Sequence, residues 1–178
     1  VLESVEELVK SIKKELLPEN YMAQFIQAFK VLLEEDAECQ KEGDETEGDH
    51  DETLMGDVTD TLHALAKEWG EAMGPYFEEV MPLFARFTHD KRNPRDRNLF
   101  TGALGDIIQN LPYLAGKYSE DLSNLALRNL QSGEESLYQN SLYFLGVVCE
   151  FAPSLAGNYM QYLELLNSFL TSQQEPET

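Results

Sequence analysis

Carboxylates come in pairs along this chain. Glu78 and Glu79 form one pair, Glu120 and Asp121 a second, and Glu134 and Glu135 a third, with Asn124 and Asn140 close behind. A carboxylate accepts charge-assisted hydrogen bonds from Lys or Arg, and an amide can bond a peptide backbone. The chemistry on offer is the holding of a basic, extended polypeptide. Any single one of these residues is adequately explained as a solvated surface acid. Glu134 and Glu135 also suit the start of a helix, and Ser132 and Glu135 have the spacing of a capping box. The case for binding rests on recurrence.

Catalytic chemistry has less to work with. His50, His63 and His89 form no nucleophile–base–orienter set, and no Gly-rich phosphate loop occurs. The stretch "DETEGDHDE" lacks the spacing of a calcium loop. Cys39 lies in a charged stretch and Cys149 in an apolar one, so no disulfide framework is indicated and a reducing compartment fits. We expect no enzyme, no cofactor and no metal. The net charge of −20 disfavours nucleic acid and anionic membranes and favours basic partners. The longest apolar run, "LYFLGVVC", is too short to span a bilayer.

Helices must carry these groups. "ESVEELVKSIKKELL" and "YMAQFIQAFKVLLEE" place apolar residues at spacings of three and four. Similar segments cover roughly 54–69, 76–88, 97–111, 119–131, 137–151 and 158–171, separated by glycines and prolines and with no strand-like alternation. That predicts eight helices in four hairpins. Overlaying them with Tyr76, Tyr118 and Tyr159 in one column also aligns Gly74 with Gly116 and Gly157, and Leu62 with Leu104 and Leu145, at offsets of 42 and 41. Such a period in paired helices indicates an all-α solenoid of the HEAT or armadillo type. Each glycine is expected to supply the positive φ that ends a helix. Trp69 should fill a hairpin end. The basic run "HDKRNPRDR" (Lys91, Arg92, Arg95, Arg97) reads as a solvated turn.

Tyr21 aligns with Tyr76 at an offset of 55, so about 13 extra residues separate the first two hairpins. Eleven of residues 34–52 are acidic, a third of the chain's 33 carboxylates. The expected layout is a first hairpin over 1–36, a disordered acidic loop over 37–52, three repeats over about 53–92, 93–133 and 134–171, and a tail over 172–178. The acidic loop serves as an arm for a basic ligand or as a spacer. Aligned carboxylates on the second helices, Glu78 and Glu79 with Glu120 and Asp121 and then with Gln161 and Tyr162, should form a ladder with steps of about 10 Å. The chain begins mid-pattern and reads as a piece of a longer protein. Its end hairpins should expose apolar faces.

The order of an acidic tract, "GDVTDTLHALAKEWGEAMGPYFEEVMPLFARF", "RDRNLFTGALGDIIQNL" and "GEESLYQNSLYFLGVVCE" resembles the C-terminal HEAT repeats of importin-β (karyopherin-β) nuclear import receptors, and of the importin-four branch in particular. Asp96, Arg97, Asn98, Gly102, Leu104 and Ile107, then Glu135, Asn140 and Gly146, carry the likeness, which runs from about residue 50 to 171. Asn98 and Tyr143 depart from the branch pattern. The resemblance implies shuttling between cytoplasm and nucleus, and cargo such as core histones or ribosomal proteins held on the inner helices. It also implies Ran-GTP and nucleoporins as partners of the full-length receptor. The alternative is a HEAT scaffold or adaptor that grips folded partners through apolar ridges.

Overall fold

The computed structural model of the chain describes residues 7, 11, 19–37, 40 and 48–172. Its regular elements are all helical. We number seven helices: α1 (Glu19–Leu33), α2 (Gly48–Trp69), α3 (Gly74–Phe87), α4 (Pro94–Asn110), α5 (Ser119–Leu130), α6 (Tyr138–Phe151) and α7 (Tyr159–Ser172). Short helical joints at Gly70–Met73, Tyr113–Lys117 and Pro153–Asn158 connect α2 to α3, α4 to α5 and α6 to α7. The first helix expected before α1, the centre of the acidic tract and residues 173–178 lie outside the described residues. At the far end of that tract α2 begins at Gly48, so the last five residues of the expected loop are helical.

The helices form two layers of a HEAT-like α-solenoid. The first helix of each hairpin stacks on its counterpart, α2 on α4 and α4 on α6, while α1 packs on α3 in the second layer. The reason is visible in the repeated leucines. Leu62, Leu104 and Leu145 occupy the same register and are all at most 4% exposed. Aromatic rings weld the second hairpin to the third. Phe84 meets Phe100 edge-on at 4.9 Å, and Phe87 stacks on Phe100 at 4.2 Å. Each such pair contributes about 0.5–1.5 kcal/mol beyond the area it buries. Trp69 is buried at its hairpin end, as expected. On α7, Met160 is 68% and Leu163 57% exposed, although the equivalents of Leu163 (Val80 and Leu122) are buried. This is the uncovered apolar face expected of an end hairpin.

The glycine column does not work as expected. Gly74 has φ −51° and sits inside helical backbone. Among the described residues the glycines with positive φ are Gly70 (φ 53°), which follows α2, and Gly133 (φ 80°), beyond α5. There the absent Cβ removes the steric penalty of the left-handed region. Gly74 is needed for a different reason, since its Cα lies against the ring and hydroxyl of Tyr113 from the next hairpin. Gly116 and Gly157 face open space.

Candidate functional site

The candidate acids sit at one end of the second-layer helices. Glu78 and Glu79 lie in the first half of α3, and Glu120 and Asp121 in the first turn of α5. Acids in a first turn complement the positive end of the helix dipole. Glu78 is not free. Lys117 donates to it at 2.6 Å and the Tyr113 hydroxyl at 3.2 Å. The hydrogen bond from Lys117 holds the Glu78 carboxyl below its ordinary pKa and raises that of Lys117. Burial and then the bond to Glu78 push the Tyr113 phenol up to about 12. Glu79 pairs with Lys30 of α1 at 3.5 Å. Glu120 and Asp121 are exposed.

A groove of about 380 Å³ runs between α3 and α5, walled by Met81 and Ala85 on one side and Leu122 and Leu125 on the other. It brings Asp121 and Asn124 together with Arg128. Glu134, Glu135 and Asn140 lie elsewhere, at the start of the fourth hairpin. Asn140 is used internally. Its amide donates to the Asn98 carbonyl at 3.1 Å and packs on Gly102. Ser132 and Glu135 form no capping box. The Ser132 hydroxyl accepts from the Glu134 N–H and donates to the Asn129 carbonyl. The acidic ladder stops short at α7, because Tyr162 turns inward and is 4% exposed. Gln161 remains outside and exposed.

The "HDKRNPRDR" turn divides into two fates. Asn93 caps α4 by accepting from the Asp96 N–H at 2.8 Å, with Pro94 next in line. Arg92 donates both Nη groups to Glu35, at 2.7 and 2.6 Å, and lies over the Phe87 ring. This fork ties the end of α1 to the turn between α3 and α4 and holds the Glu35 carboxyl below its ordinary pKa. Arg97 is the correction. Far from solvated, it is 5% exposed and donates to Asn129 at 2.8 Å, which in turn donates to Thr101 at 3.0 Å. Burial, and then the charge of Arg128, pull its pKa down. The spacing of Arg97, Phe100, Thr101 and Leu104 on α4 is the signal that places Arg97 on the buried stripe.

Among the described residues no group of three or more His, Cys, Asp or Glu side chains could hold a metal. No described helix is long and apolar enough to cross a membrane. The arrangement can grip and pair charge, with polar groups set on a rigid helical frame.

Residues 33–90 match the family model Importin repeat 6. The matched segment is 90 − 33 + 1 = 58 of 178 residues, and it contains α2 and α3 entire. The match is to one importin repeat and covers about a third of the chain. The Glu78 and Glu79 pair lies inside the matched segment, and Glu120, Asp121 and Asn124 lie beyond it.

Proposed function

We propose that this chain is a repeat segment of a karyopherin-type nuclear transport receptor that binds basic polypeptide cargo along α3, α5 and the groove between them. The match to Importin repeat 6 carries the transport reading. The cargo's charge is read from the net charge of −20 and from Glu120 and Asp121, which stand exposed at the head of α5. Asn124, one turn on, offers an amide to the cargo backbone. Core histones and ribosomal proteins have the required charge, and the importin-four branch is the proposed relative. Ran-GTP and nucleoporins would engage the full-length receptor, which would shuttle between cytoplasm and nucleus.

The test is a titration of histone-tail peptide by fluorescence anisotropy across salt. Reversing both charges (Glu120→Lys with Asp121→Lys) should weaken binding about tenfold, the worth of one or two exposed charge-assisted bonds. Binding indifferent to salt, or to these substitutions, sinks the proposal.

A further inference from the structure

Two guanidinium groups converge where the start of α4 meets the end of α5, in a chain that is otherwise strongly acidic. Arg97 is 5% exposed, and its Nε–H has no hydrogen-bond partner. Arg128 donates through Nη2 to the Thr88 carbonyl at 2.9 Å. Among the described residues neither enters an ion pair. Both line a cavity of about 550 Å³ together with Ser132 and with Asn124, Gln131 and Gln161, whose amides can donate. The carboxylate on its wall, Asp90, sits 2.6 Å from the His89 ring nitrogen. The charges of Asp90 and then Glu134 favour the Arg97 cation without forming an ion pair with it.

A buried guanidinium with a neutral partner and an orphan N–H is costly to maintain, and a second positive charge beside it adds repulsion. Two forked donors ringed by amides match the geometry of an oxyanion. We infer that this cavity takes an oxyanion side chain of a partner polypeptide, either an Asp or Glu carboxylate or a phosphorylated Ser or Thr. The surrounding charge of the chain repels polyanions such as nucleic acid and admits a single oxyanion flanked by basic groups. Spacing defines the partner further. Glu120 and Arg128 are eight residues apart on α5, or about 12 Å along a helix. An extended peptide covers that in about four residues. The segment that fits carries its basic residues about four positions from its acidic one.

The test uses three probe peptides of sequence Lys-Lys-Gly-Gly-Gly-X, with X as Glu, phosphoserine or Ala and with amidated C-termini. The wild-type chain should bind the Glu or phosphoserine form at least fivefold tighter than the Ala form. Arg128→Gln should bring that ratio to about one while the circular dichroism spectrum is unchanged. Preference for Glu identifies a carboxylate partner, and preference for phosphoserine alone identifies a phosphorylated one. An independent readout needs no variant: sodium phosphate, against sodium chloride at matched ionic strength, should raise the wild-type melting temperature by about 2–4 °C and move the Arg97 Nε–H nuclear magnetic resonance signal. Equal affinity for all three peptides, or an Arg97 signal that stays still in phosphate, overturns the inference.

Discussion

Gly105 of α4 and Tyr143 of α6 are packed so closely that a methyl group on Gly105 would lie 2.7 Å from the Tyr143 ring. The same tyrosine donates to the Asp106 carboxylate at 2.6 Å. Two neighbouring hairpins are thus joined by one side chain lying across a glycine. Gly105→Ala should destabilise the chain by about 1–2 kcal/mol in urea denaturation, because overpacking outweighs the better helix propensity of alanine. In a Tyr143→Ala background the same change should reverse sign and stabilise by about 0.5–1 kcal/mol. Equal effects in both backgrounds would show that the contact does not matter.

Glu35, in the turn that follows α1, has φ 60° and is gripped by both Nη groups of Arg92. Its folded pKa is lowered, so its contribution is present above the unfolded value near 4.5 and is lost as pH falls through the folded one. Glu35→Gln should cost about 0.5–1 kcal/mol at pH 7, a figure already discounted for solvent exposure. Wild type and variant should converge in melting temperature below pH 4.5. A gap that persists in acid would show that the ion pair with Arg92 is not its cause.

Tyr113 tests the opposite flank of the pH range. Its folded pKa is raised to about 12 from an ordinary 10.0, so its contribution is intact below pH 10 and disappears between pH 10 and 12. The stability difference between wild type and Tyr113→Phe should therefore shrink across that window in thermal melts. A difference that grows with pH would contradict the bond to Glu78.

Lys117 and Lys30 occupy the carboxylates that a basic cargo would need. Lys117→Met and Lys30→Met free Glu78 and Glu79, and each should tighten a histone-tail peptide by about two- to fivefold, the worth of one exposed ion pair. Lys91→Met, in an exposed turn, is the control for net charge. Equal gains from all three variants would mean that only overall charge is felt.

Helix positions and the hairpin period were readable from the chain because both are written locally. Apolar spacing of three and four marks a helix face, and the 42- and 41-residue offsets mark which faces stack. Leu62, Leu104 and Leu145 are buried for that reason. The paired acids at 78–79 and 120–121 were readable too, as aligned positions on the second helix of successive hairpins.

Their availability was not. Glu78 is neutralised by Lys117, 39 residues away, and Asn140 is consumed by Asn98, 42 residues away. Arg97 reads as one more cation in "HDKRNPRDR" until α5 closes over it and Asn129 becomes its partner. Gly74 and Gly116 look interchangeable in the repeat, yet one meets the Tyr113 ring and the other meets open space. Periodicity along one chain reports which face a residue occupies. Contacts across repeats depend on the side chain the next hairpin brings, and only tertiary packing brings it within the few ångströms over which hydrogen bonds and steric repulsion act.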